Sequence, residues 1–316
     1  SSYGIIIVSR LMMVVLLFIT IYLTYRTALY WVSPPAAWIA AAGYLLMNAG
    51  YFLAHVYVRG DPIILLLLMA SLYYAAPLAD KRSWDRLDLE RLFLVFAFLG
   101  LALAISPRAG IPALTLFLTL GGAGWGVKPP LKLIGLFFLG GLVVLLPTIV
   151  IAMPYGLEVY AFWVYKFSAL LLPVSSPIPN ILNIVKTSFP VVILTLLGFY
   201  RALSHRELRQ RRSVWLVGAL SVTGVWGLWA CRHPFMQHFL MTLPFLGLLA
   251  GLGYDELFGS LQSRRWLPRW NFGKIYIFLA LLILSAKFYL FWQRRGEADL
   301  SHFLARSEWL KQYAAK

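Results

Sequence analysis

Acidic residues are scarce in this chain of 316 residues: 12 Asp and Glu stand against 28 Lys and Arg. Charge of either sign is also thin, at 13% of residues, about half of what a soluble globule carries. Cys231 is the only cysteine, which excludes a disulfide framework within the chain and a cysteine-based metal site. Neither GxxxxGK[ST] nor GxSxG occurs, so the sequence offers no P-loop and no hydrolase nucleophile elbow. None of Asn48, Asn180, Asn183 and Asn271 lies in an N-x-S/T context, so no glycosylation acceptor is present. No repeat of fixed period is found, which argues against a solenoid or an obvious repeat-built transporter.

Long apolar runs are what the chain does have. Hydrophobic residues make up 61% of it, and its mean hydropathy is +0.77. Several runs reach the roughly 18 residues that cross a bilayer. The fold class expected is an all-α polytopic membrane protein, because lipid leaves few other ways to satisfy the backbone. About ten spans are read, at 8–29, 36–57, 62–79, 91–106, 111–127, 132–153, 188–203, 213–231, 235–254 and 275–293. The fourth and fifth are short, and a tilted hairpin that does not span fully is expected there. Residues 1–293 form the expected membrane domain and 294–316 an external tail.

The net charge of +16 invites a nucleic-acid reading. Where the cations fall speaks for membrane sidedness and no nucleic acid. "DKRSWDRLDLER" (80–91), "RALSHRELRQRR" (201–212) and "SRRWLPRWNFGK" (263–274) fall on one side when the spans are counted, with Arg26, Lys128 and Lys132. That side is the cytoplasm by the positive-inside rule. The other side holds Arg59, Asp61, Arg108, the long segment 154–187, "CRHPF" and the tail. In the long segment, "YGLEVYAFWVYKFSALLLP" is aromatic and amphipathic, the composition of a helix lying in the interface.

This sidedness sorts the acids. Asp80, Asp85, Asp88, Glu90, Glu207, Asp255 and Glu256 are read as loop residues among cations on the cytoplasmic side, and Glu297, Asp299 and Glu308 lie in the tail. Only Asp61 and Glu158 are left at the outer surface before the tail, so acid–base or metal chemistry there draws on these two or on residues outside this sequence. Asp61 also has an ordinary explanation: Asp is a favoured helix N-cap and Pro62 a favoured first helical residue. Arg108, in the tight turn "ISPRAG", and Arg232, in "CRHPF", are candidate phosphate ligands, as is Lys166. The plainer role for each is snorkelling to lipid headgroups. His233 and His238 are five residues apart and lack the i, i+4 spacing of a helical zinc pair.

The order of these features resembles the GT-C membrane glycosyltransferases. The resemblance points to the branch holding protein O-mannosyltransferases and the lipid A aminoarabinose transferase. It is carried by "RGDPIILLLLMASLYY", an outer-face Asp opening a membrane helix, and by "LALAISPRAGIPALTLFLTL", a hairpin with a basic turn. "YGLEVYAFWVYKFS" and the late "CRHPFMQHFLMTLPFLGLLAG" complete it, over most of residues 1–255. It implies a sugar transferred from a polyprenyl-phosphate donor to a lipid, glycan or protein acceptor, in a bacterial inner membrane, with the active site facing the periplasm or exterior. Carried over by position, Asp61 looks like a supporting acidic residue near the active site or its divalent metal ion. Arg59, Arg108, Lys166, Arg232 and His233 look like donor-phosphate ligands, with Glu158 and His238 in the pocket. The family's principal catalytic Asp lies in a first external loop that would precede Ser1. The chain opens on "SSYG" without methionine and ends in "SEWLKQYAAK" with no evident stop, so a fragment is expected. A multi-pass transporter or flippase is the competing reading, to be separated by substrate transport without sugar transfer. A non-catalytic scaffold is a third, to be separated by the sequence upstream of Ser1.

Overall fold

The structure, a computed structural model, describes residues 2–46, 60–81, 83–124, 130–161, 178, 182, 185–186, 188–230 and 241–263. Among these residues the regular secondary structure is entirely helical. The helices are α1 (Ser2–Ala28), α2 (Pro34–Leu46), α3 (Gly60–Asp80), α4 (Arg86–Ile105), α5 (Gly110–Gly124) and α6 (Pro130–Ala152). They continue as α7 (Leu157–Ala161), α8 (Phe189–Ser204), α9 (Arg206–Gln210), α10 (Arg212–Ala230) and α11 (Leu243–Ser263). Two of them, over Leu11–Ala28 and Pro62–Asp80, are long and apolar enough to cross a bilayer.

On α1 the buried positions are Met13, Leu17, Thr20, Thr24, Thr27 and Ala28, at helical spacing. Each buried threonine hydroxyl donates to the carbonyl four residues back, at 2.7–2.8 Å, so it enters the bundle without an orphaned polar atom. The large residues of α1, including Leu11, Val15, Phe18 and Tyr22, are exposed. The same division recurs on α8, where Thr195, Gly198 and Ala202 are buried while Phe189, Leu196 and Leu203 are exposed. Small residues at helix contacts with bulky apolar residues outside is the pattern of helices packed in lipid.

Hydrogen bonds between helices fix their directions. Helices α3 and α4 are antiparallel across the short connection 81–85, with the Ser71 hydroxyl 3.4 Å from the Val95 carbonyl. Helices α8 and α11 are parallel: Thr195 Oγ1 donates to Leu246 O at 3.2 Å, and Arg201 Nη1 donates to Leu252 O at 3.1 Å. Their approach requires glycine, because a Cβ on Gly198 would overlap the Leu249 carbonyl oxygen and one on Gly253 the Leu194 carbonyl oxygen. Helix α2 runs against α11, with Gly43 beside Gly247 and Gly251 beside Ala36 and Ala40.

The expected spans need correction at their charged ends. Helix α4 starts at Arg86 rather than about residue 91, so its first turns carry Asp88, Glu90 and Arg91 ahead of the apolar run. The short partner in that hairpin is α5, with 15 residues. Helix α11 runs on to Ser263, beyond the expected end at 254. Asp88, Glu90, Asp255 and Glu256 are therefore helical rather than loop residues, and Asp80 closes α3. Apolarity alone ends a helix at its first carboxylate, whereas here cations from neighbouring segments neutralise the carboxylates. The expected span 275–293 lies outside the described residues, as do 235–240 of the preceding one.

Candidate functional site

The bundle has two polar ends. The first gathers the connections between α1 and α2, α3 and α4, and α8 and α10. Ser213, at the start of α10, donates its N–H to Asp80 Oδ1 at 2.8 Å and its hydroxyl to Asp80 Oδ2, and it accepts the Trp31 indole N–H at 2.7 Å. Arg201 sits 3.6 Å from both Asp255 and Glu256, and His205 Nε2 lies 3.0 Å from Glu256. Asp255 also accepts the N–H and hydroxyl of Ser33, at 2.9 and 2.6 Å. Asp88, buried, holds Lys81 at 2.7 Å and Arg91 at 3.4 Å, and forms a reciprocal capping box with Asp85. Burial acts to raise the Asp88 pKa. The Lys81 hydrogen bond, the Asp85 N–H and the charges of Lys81 and Arg91 outweigh it and hold the carboxyl below the usual range.

The opposite end is where the sequence-predicted residues fall. Ten residues from the Ser71–Val95 contact toward the start of α3 is Asp61, and ten toward the end of α4 is Ile105, three residues before Arg108. The Asp61 backbone and the Arg108 turn therefore share one level of the bundle. Helix α3 begins at Gly60, so Asp61 occupies the first turn rather than the cap position expected for it, and Pro62 beside it needs no N–H there.

Arg108 is held by a compact turn. Ser106, ahead of Pro107, takes an extended conformation, with φ −159° and ψ 138°, and so ends α4. Residues Pro107–Ala109 then form one 3-10 turn before α5. Arg108 donates its N–H to Ser106 Oγ at 3.3 Å, and its side chain is half-buried. Helix α6 reaches the same end after Gly140 packs against Phe96 of α4. Beyond it come the 3-10 turn Met153–Tyr155 and Gly156, whose φ of 81° suits glycine, before α7 carries Glu158 into an exposed position.

Asp61, Arg108 and Glu158 are thus carried to one end of the bundle by three different connections. Arg59, Lys166, Arg232, His233 and His238 lie outside the described residues. Among the described residues no three His, Cys, Asp or Glu side chains gather as metal ligands. The polar network of the first end went unread in the sequence because its partners are far apart along the chain, as with Asp80 and Ser213 or Arg201 and Asp255.

No family model and no curated protein matches the sequence. Among solved structures the chain is similar to ArnT from Cupriavidus metallidurans bound to undecaprenyl phosphate, at 16% identity and a TM-score of 0.63, over 80% of this chain. It is similar to the apo state of the same protein at 15% identity and a TM-score of 0.60, over 79% of this chain. The chain spans 47% of the length of either structure, about half. The likeness is one of fold.

Proposed function

We propose that this chain is part of an integral-membrane glycosyltransferase that moves a sugar from a polyprenyl-phosphate donor to an acceptor on the non-cytoplasmic face. The observation that carries the reading is the fold likeness to ArnT, which was crystallised with undecaprenyl phosphate, over 80% of this chain. The bulky exposed residues of α1, α8 and α10 support it, since an apolar lateral surface suits lipid and a long polyprenyl tail. About ten spans over residues 1–293, with the arginine-rich end in the cytoplasm, complete the proposed topology.

In the proposed reaction the bond from the sugar's anomeric carbon to the donor phosphate breaks, and a bond to an acceptor oxygen forms. The acceptor's proton passes to a base, and the polyprenyl phosphate leaves with the bonding pair. Cations near that phosphate stabilise the charge it gains. Arg108 is proposed for this role, with Arg59, Lys166, Arg232 and His233. Asp61 is proposed as a supporting carboxylate near the acceptor hydroxyl, with Glu158 and His238 at the pocket's edge.

The test is sugar transfer by the purified protein supplied with labelled polyprenyl-phosphate sugars. Label appearing in an acceptor extract, and lost with Arg108→Ala, supports the reading. Vesicle-to-vesicle movement of the intact donor with no transfer of label would replace it with the transporter reading.

A further inference from the structure

The arginines of 205–212 are not all taken up by the network of their end. Arg201 and His205 face Asp255 and Glu256, and Arg211 donates to the Tyr30 carbonyl at 2.8 Å. Arg206 and Arg209 are exposed, three residues apart on one face of α9, while Leu208 of the same helix is buried at 8% and fastens it to the bundle. Arg206, Arg209, Arg211 and Arg212 stand against Glu207 alone in this segment.

Exposed apolar side chains flank these cations. Tyr200 and Leu203 lie in the last turns of α8, and Trp215 in the first turn of α10. The Trp215 indole N–H donates to the Arg209 carbonyl at 2.8 Å, yet the residue is 44% exposed. An indole with its polar group satisfied and its ring outward fits the boundary between acyl chains and headgroups. Helix α9 therefore sits where the apolar sides of α8 and α10 end.

We propose that this corner, α9 with the adjoining ends of α8 and α10, is a docking surface for an anionic phospholipid. The lipid phosphate sits on Arg206 and Arg209, whose guanidinium groups bind phosphate by paired hydrogen bonds. The acyl chains run along Tyr200, Leu203 and Trp215. A headgroup without a compensating amine is favoured because Arg206 and Arg209 are both exposed cations. The inference rests on the membrane part of the reading above and not on sugar transfer.

The test uses the whole chain in neutral detergent, with phosphatidylglycerol and phosphatidylcholine of matched acyl chains as probes. Phosphatidylglycerol is expected to bind and to raise the unfolding temperature, with phosphatidylcholine far less effective and sn-glycerol 3-phosphate without effect. The double variant Arg206→Gln/Arg209→Gln is expected to weaken phosphatidylglycerol binding about 30-fold, from the loss of two cations near an anionic headgroup. The matched variant Arg26→Gln/Arg86→Gln, with the same charge loss at the same end, is expected to bind as the unmodified chain does. Equal response to both lipids, a full response to glycerol 3-phosphate, or equal loss in both double variants would each overturn the proposal. Should the first double variant not fold, the lipid selectivity of the unmodified chain still decides. Transfer activity is read separately, so its absence alongside lipid selectivity would reject only the glycosyltransferase.

Discussion

The two ends of this bundle use charge in opposite ways. At the arginine-rich end, Asp80, Asp88, Asp255 and Glu256 each meet donors or cations within 3.6 Å, and most of these contacts join different elements. At the other end Asp61 and Arg108 come from connections whose backbones share a level, and Arg108 sits in a single compact turn. The first arrangement holds helices together. The second brings residues of separate connections to one level of the bundle. The difference teaches that the role of a charge follows from the elements it meets after folding and not from the charge count along the sequence.

The largest effect should come from the sparse end. Asp61→Asn keeps size and polarity but removes the negative charge. Transfer is expected to fall by about 10²- to 10⁴-fold, the range for loss of a positioned acid–base group, with the unfolding temperature within a few degrees of the unmodified protein. A variant that unfolds early while its surviving molecules keep full activity would make Asp61 a helix-end residue and erase the contrast.

Arg201→Ala tests the locked end. It removes the donor to the Leu252 carbonyl and the cation beside Asp255 and Glu256, in a site where Arg201 is only 19% exposed. A loss of about 3 kcal/mol is expected, as for removing one partner of a largely buried charge cluster. Denaturant melts should show it, while transfer per folded molecule stays the same. An unchanged midpoint would mean that the α8–α11 crossing at Gly198 and Gly253 holds the pair without its ion pairs.

How legible was this from the residues alone? The helical class of the described residues was, because long apolar runs dominate the chain. The gathering of 80–91 and 201–212 at one end was legible too, since cations sort to one side of a membrane. The helix ends were not, because Asp88 and Glu256 look like solvated loop residues until Lys81 and His205 are seen beside them. Helix α9 is too short to carry a periodic signal. At the candidate site, sidedness singled out Asp61 and Arg108, but the Ser71–Val95 contact was needed to set their common level. No spacing rule reports a contact between residues that neighbour each other only after folding.

Asp88→Asn refines the locked end with pH. The folded-state pKa of Asp88 is lowered, with burial opposed and outweighed by Lys81, the Asp85 N–H and Arg91. Its contribution is therefore fully present above the unfolded value of about 4 and is lost as pH falls through the lower folded value. At pH 7 the variant should lose about 2 kcal/mol, as for a hydrogen bond to a charged group. The gap between variant and unmodified protein should close as the solution is acidified below pH 4. A gap independent of pH would assign the effect to the shape of the capping box rather than to charge.

The smallest effect sets the boundary of the locked end. Arg86 and Glu90 form an i, i+4 pair at 3.4 Å near Asp88, but their side chains are 94% and 58% exposed. Water screens such a pair and side-chain entropy opposes it, so Arg86→Ala should change stability by less than about 0.5 kcal/mol. Read in the same denaturant melts as Arg201→Ala, it separates contacts that join elements from charges that merely decorate one helix. If Arg86→Ala cost as much as Arg201→Ala, net charge at this end, rather than inter-helix contact, would be what steadies the bundle.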